Sequence, residues 1–196
     1  MHHSIDATRL STYKTLRREA ADSGGFDTIA FMFPHTGGLS TDVNRQVRAN
    51  QSLLVSFFQS CLELDKDGNP RHNRNKKRED QVPFLKLGGR VVVTLFEAEP
   101  YTLWNIRDLA RHAGLKVVES FRFEWVDYPG YSHVRTLGAI EGGGGWKGEE
   151  RKARMYVFEK VEVEREDEEE GSHGADSKER SKKRRRQESE SESDDN

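Results

Sequence analysis

Apolar and polar positions alternate in blocks along the first 160 residues. Phe26-Asp27-Thr28-Ile29-Ala30-Phe31-Met32-Phe33 is an apolar run halted by Pro34, which predicts a buried strand. Val43 to Leu64 carries Val47, Leu54, Phe57, Phe58, Cys61 and Leu62 at the spacing of one helical face. Gly88-Gly89 lead into Arg90 to Phe96, the clearest strand of the chain. Thr102 to Ala113 reads as a helix with Gly114 at its C′ position. Leu115 to Val126 and Arg154 to Val161 read as two further strands, Ser4 to Ala7 as the end of a strand, and Ala7 to Ala21 as a polar helix. The β-α-β-α-β order predicts an α/β domain with a mostly parallel sheet flanked by helices. No helix-length segment separates the last two strands, so they are expected to pair antiparallel. No internal repeat is visible.

Two segments depart from this pattern. Residues 65–83 form a polar insertion containing Arg71, Arg74, Lys76, Lys77 and Arg78. It suits salt-dependent phosphate contact or a solvated surface loop. From Val161 to Asn196 there are 8 basic and 14 acidic residues and no aromatic. Such a tail cannot bury enough apolar surface to offset its ordering entropy, and it is expected to be disordered. The chain thus divides into a domain over 1–160 and a charged tail over 161–196.

Composition narrows the class. The near balance of 32 basic and 34 acidic residues hides a body of formal charge +4 and a tail of -6. The single cysteine, Cys61, excludes a disulfide framework and a multi-thiolate metal site. No apolar run approaches the roughly 20 residues that span a bilayer. The opening MHHSIDATRL is neither a signal nor a transit peptide. A soluble protein of a reducing compartment, with no membrane partner, is expected. In the tail, Lys182-Lys183-Arg184-Arg185-Arg186 is a basic block of the nuclear-import kind, which predicts an import receptor as partner. Ser189, Ser191 and Ser193 alternate with acids and are candidate phosphorylation sites.

Ligands of open parallel sheets bind outside the carboxyl ends of the strands. Two strand ends carry unusual residues: Phe31-Met32-Phe33-Pro34-His35-Thr36-Gly37-Gly38 and Glu97-Ala98-Glu99-Pro100-Tyr101-Thr102-Leu103-Trp104. Two adjacent aromatic-proline loops would make a slot for a flat ring. The plainer reading is that the prolines stop the strands and the aromatics cap the core. A third cluster, Tyr128-Pro129-Gly130-Tyr131-Ser132-His133-Val134-Arg135, suits stacking and phosphate contact with single-stranded RNA, or a tyrosine-braced turn. Gly142 to Gly145 lacks the Lys-Ser/Thr of a phosphate loop and reads as a hairpin loop. His2-His3 could bind a metal, but two adjacent side chains point apart and no partner carboxylate is expected nearby, so no metal site is expected. Cys61, on the apolar helix face, reads as core.

The motifs FDTIAFMFPHTGG, DVNRQVRANQSLLVSFF, GGRVVVTLFEAEPYTLWNI and YPGYSHVRT occur in this order. Together they resemble the eukaryotic 25S rRNA (uridine-N3)-methyltransferase-like domain family, from about Ile5 to Lys160. The resemblance implies a Rossmann-like class I methyltransferase fold and S-adenosylmethionine as cofactor. It also implies methylation of uridine N3 in large-subunit rRNA, in the nucleolus, with rRNA or a pre-ribosomal particle as partner. The family's opening strand and glycine-rich cofactor loop are missing here, and Ser4 to Thr8 resembles the segment after its third strand. The sheet is therefore expected to be N-terminally incomplete, and the chain by itself to bind the cofactor poorly or not at all. A catalytically incompetent RNA-binding protein, or a fragment that does not fold alone, is the alternative. Met32 stands where the family typically has asparagine.

The resemblance also distributes roles. His35 would be the base or polarising donor at the target base, with Phe33 and Pro34 walling the ring. Phe31 and Phe33 are expected to point in different directions along the strand. Asp6 would sit near the adenine end of the cofactor, with Phe31 and Met32 beside it. Glu99, Pro100 and Tyr101 would line the other side of the slot. Tyr128, Tyr131, His133 and Arg135 would hold the RNA strand. Arg45, Gln46 and Asn50 would contact cofactor, RNA or each other.

Overall fold

In the computed structural model, residues 2–37, 42–71, 82–131, 133 and 151–162 are described. Arg74 to Arg78, Arg135, Gly142 to Gly145, Lys182 to Arg186 and the three tail serines lie outside these residues. Among the described residues four strands form one sheet: β1 (Phe26–Met32), β2 (Leu85–Phe96), β3 (Leu115–Arg122) and β4 (Ala153–Lys160). Their order is β1-β2-β4-β3. β1 and β2 are parallel, and β4 pairs antiparallel with both β2 and β3. The antiparallel pairing of the last two strands is as expected. The mostly parallel sheet is not: one of the described pairings is parallel. Strand order is the reason. β1, β2 and β3 run one way, but the last strand enters between β2 and β3 and separates two parallel neighbours.

The helices are α1 (Lys14–Ser23), α2 (Val43–Leu62) and α3 (Ile106–His112). α2 starts where the Asp42 carboxylate accepts the Arg45 N–H. Its face of Leu54, Phe57, Phe58 and Cys61 is buried with Val91, Val93, Leu95, Phe158 and Trp104 in the main core. The polar helix expected over Ala7 to Ala21 divides at Tyr13 into a 3-10 turn, Ala7–Thr12, and α1. Threonine hydroxyls compete with the backbone here: Thr12 donates to the Arg9 carbonyl, and Arg9 leaves helical geometry. The helix expected from Thr102 likewise divides into a 3-10 turn, Tyr101–Trp104, and α3, at Asn105 with φ 51°. Gly114, with φ 92°, occupies the C′ position as expected.

β2 starts earlier than Arg90. Gly88 and Gly89 lie inside it, where the register against β1 shifts between Phe26 and Thr28. A Cβ on Gly89 would stand 2.8 Å from the Lys86 carbonyl oxygen, so the bulge requires glycine there. The end of α2 is tied to the start of β2 by a half-buried polar knot. Arg17 donates to Glu63 at 2.7 Å and to the Val82 carbonyl at 3.1 Å, while Glu63 accepts the Phe84 N–H at 2.8 Å. His2 does have a carboxylate near it, Glu19 at 2.7 Å, because α1 carries that side chain back past the N-terminal segment. Among the described residues, no group of three or more His, Cys, Asp or Glu stands close enough to hold a metal, and no helix is long and apolar enough to cross a membrane.

Candidate active site

Met32 pairs with Thr94 across the parallel β1–β2 ladder, so both strands finish at the same edge of the sheet. Their two exit loops are therefore neighbours. The His35 ring lies 6.1 Å from Tyr101 and 6.0 Å from Trp104, centroid to centroid. The paired aromatic-proline loops foreseen from the sequence do meet. Pro34 is buried, His35 and Pro100 are half-buried, and Glu99 is exposed.

Phe33 organises the rest. Its backbone has φ 51°, a left-handed geometry uncommon for an aromatic residue, and its N–H donates to the Thr94 carbonyl at 3.0 Å. In a regular strand residues two apart share a face. The turn at Phe33 breaks that pleat, so the two phenylalanines part. Phe31 packs on Phe57 in the main core, and Phe33 enters a second cluster with Phe96, Phe123 and Ala153. Phe33 is 5% exposed. It is the support beneath an aromatic floor rather than an open wall.

The third loop comes to the same floor. Tyr131 lies 13° and His133 lies 50° from the plane of Phe33, with His133 centred 4.7 Å away. Tyr128 stacks on Phe123 at 4.6 Å, and its hydroxyl donates to the Met155 sulfur at 3.5 Å. Tyr128 and Tyr131 remain partly exposed, at 37% and 38%. Tyr101 bridges Phe96 and Trp104 at 5.3 and 4.8 Å. The Arg151 guanidinium lies 4.3 Å above Phe96 and 5.5 Å from Tyr101, adding positive charge to this face.

Three other predicted residues sit apart from the floor or beneath it. Asp6 caps the 3-10 turn, where the Thr8 hydroxyl and then the Thr8 N–H hold its carboxyl below the usual aspartate value. Phe31 faces the main core. Met32 accepts a hydrogen bond from the Thr94 hydroxyl at 3.3 Å. Sequence reasoning missed Arg151 and Trp125, and it left Asn50 unassigned. Trp125 stacks on Phe33 at 5.4 Å and 6°, and Asn50 is fully buried beneath the His35 loop. No local pattern marks Arg151 or Trp125, whose partners lie across the fold, whereas Asn50 donates to the Gln46 carbonyl one helical turn back, a contact among those expected of it.

The fold and the floor define a Rossmann-like α/β domain with an aromatic, histidine-bearing face at the carboxyl ends of β1 and β2. The sequence profile of the BMT5-like family, rRNA (uridine-N3-)-methyltransferase BTM5-like, matches residues 1–135, and the chain belongs to that family. It is 35% identical over 144 residues to the 25S rRNA (uridine(2634)-N(3))-methyltransferase of Saccharomyces cerevisiae, covering 67% of this chain and 42% of the yeast protein. It is 28% identical over 138 residues to heavy metal-associated isoprenylated plant protein 41 of Arabidopsis thaliana, covering 69% of this chain and 22% of that one. An uncharacterised Arabidopsis thaliana protein is 24% identical over 144 residues, covering 70% and 56%. The chain thus spans less than half the length of the yeast relative.

Proposed function

We propose that this chain serves S-adenosylmethionine-dependent methylation of N3 of a uridine in large-subunit rRNA, during ribosome biogenesis in the nucleus and nucleolus. The observation that carries this reading is the aromatic floor at the ends of β1 and β2, with His35 at its rim, in a member of this family. RNA bases are recognised when splayed out and stacked on aromatic rings and guanidinium planes. Tyr128 and Tyr131, both partly exposed, would supply ring surface for that purpose, with His133 and Arg151 near the same floor; Arg135, outside the described residues, would add a phosphate contact. Glu99, Pro100 and Tyr101 line the opposite rim, and Phe33 and Pro34 hold the floor from below.

The cofactor, when bound, supplies an electrophilic methyl group. Asp6 fits its adenosine end chemically, because an exposed carboxylate kept ionised by Thr8 accepts hydrogen bonds from amine or hydroxyl groups. Phe31 and Met32 would shape the strand end beside it. What the chain contributes is orientation. Holding acceptor nitrogen and methyl carbon at attack distance can supply about 7–11 kcal/mol. A paired uridine must first be unstacked, at a cost of a few kcal/mol. The insertion Arg71 to Arg78 would add phosphate contacts on rRNA or a pre-ribosomal particle, and Lys182 to Arg186 would engage an import receptor.

Nucleoside mass spectrometry of large-subunit rRNA, from cells with and without the gene, tests the reading. Loss of 3-methyluridine on deletion is expected. An unchanged amount would refute it.

A further inference from the structure

The loop after β1 is held by hydrogen bonds whose direction sets the protonation of His35. Asn50 accepts the Thr36 backbone N–H through Oδ1 at 2.9 Å and donates through Nδ2 to the Gln46 carbonyl at 2.9 Å. Both partners are backbone groups of fixed sense, so the carboxamide has one orientation. The next amide, Gly37 N–H, donates to His35 Nδ1 at 2.8 Å. A backbone amide can only donate. Nδ1 therefore carries no proton, and the neutral ring keeps its hydrogen on Nε2.

We propose that this loop commits His35 to the neutral Nε2–H form, a hydrogen-bond donor to the target base rather than its general base, and that Asn50 is the positioning residue that maintains it. The proposal rests on the methyl-transfer reading above. In that reaction a bond forms between N3 and the methyl carbon as the methyl–sulfur bond breaks. N3 gives up its proton to water, and the sulfonium charge is lost as the thioether leaves. Negative charge gathers on the uracil imide as the proton departs. Donation from Nε2–H to a carbonyl oxygen beside N3 stabilises that charge. A base at Nε2 would need a lone pair that this tautomer does not have there. Formation of the imidazolium would place a hydrogen on Nδ1 against the Gly37 N–H and break that bond.

Two-bond proton–nitrogen correlation spectra of the full chain, with labelled histidine at neutral pH, read the tautomer without any need for turnover. His35 is assigned by the signal lost in His35→Gln. The wild-type ring is expected in the Nε2–H pattern. Folded Asn50→Leu, which removes the acceptor for the Thr36 N–H, should give a mixture of tautomers. A wild-type ring protonated on Nδ1, or an unchanged pattern in folded Asn50→Leu, overturns the proposal. If Asn50→Leu does not fold, the wild-type spectrum and that of the smaller Asn50→Ala decide it on the same criteria.

Pulse-labelled rRNA supplies the second readout. His35→Gln places an amide N–H near the Nε2 position, and its methylation rate should stay within about 10-fold of wild type. His35→Ala should lose roughly 100-fold or more, the scale of one deleted donor. Equal losses in both variants would mark His35 as a base and overturn the proposal. A wild-type strain without 3-methyluridine would refute the methylation reading instead, whatever the spectra show.

Discussion

Phe33 and Trp125, far apart in the chain, lie with their rings 5.4 Å apart and 6° from parallel. The contact joins the end of β1 to the short turn after β3, and Tyr131 continues the stack at 6.2 Å from Trp125. The floor is therefore assembled across the whole width of the sheet. It depends on Phe33 turning out of the strand at φ 51°.

Replacing Phe33 with alanine should lower stability by about 3–5 kcal/mol, the scale of a buried aromatic deletion. The same change should weaken binding of single-stranded uridine-rich RNA, because Tyr131 and His133 lose the ring they rest on. Urea denaturation and fluorescence anisotropy check the two effects. A stable variant with undiminished RNA binding would mean that the floor does not organise the site.

The main core and the two strand ends were legible because they rest on local patterns. Leu54, Phe57, Phe58 and Cys61 follow helical spacing, and Pro34 and Pro100 mark strand exits. The strand order was less legible, because the place of β4 between β2 and β3 is set by packing and not by the composition of β4. The placement of Phe33 was less legible for a similar reason. A proline after an apolar run announces a turn, but not the left-handed residue before it that redirects the ring. Arg151 acts through partners distant in sequence, and so does Asn50 in its bond from Thr36, which no spacing reveals.

Arg17→Met should be destabilising by about 2–3 kcal/mol. That is below the roughly 3–5 kcal/mol expected on breaking a fully buried pair, because the Glu63 side chain remains 30% exposed. Glu63 would lose its cation and the Val82 carbonyl its donor. The urea midpoint should fall with an unchanged slope. An unchanged midpoint would show that the knot between α2 and β2 contributes nothing net.

The Asp6 carboxyl titrates below its ordinary 3.8, first because of the Thr8 hydroxyl and then because of the Thr8 N–H. A depressed folded-state value contributes stability above the ordinary value. That contribution is lost as pH falls from 3.8 through the folded value. Carbon-detected titration should place Asp6 low in wild type and nearer 3.8 in Thr8→Val. Identical titrations in both proteins would remove Thr8 as the cause.

Burial pushes the Cys61 thiol far above its usual range, among the apolar side chains of the main core. A maleimide reagent should leave it unmodified in the native protein and label it at the rate of unfolding. Fast labelling at neutral pH in the absence of denaturant would contradict the packing of α2 on the sheet.

On the function proposed above, methyl transfer to uridine takes place at the paired ends of β1 and β2. The most direct measurement is 3-methyluridine in large-subunit rRNA from cells whose only copy of the gene encodes His35→Ala. The protein level and melting temperature of the variant should be verified alongside. A nucleoside signal reduced towards that of the gene deletion, with normal protein abundance, is the predicted result. A signal equal to wild type would place the reaction elsewhere.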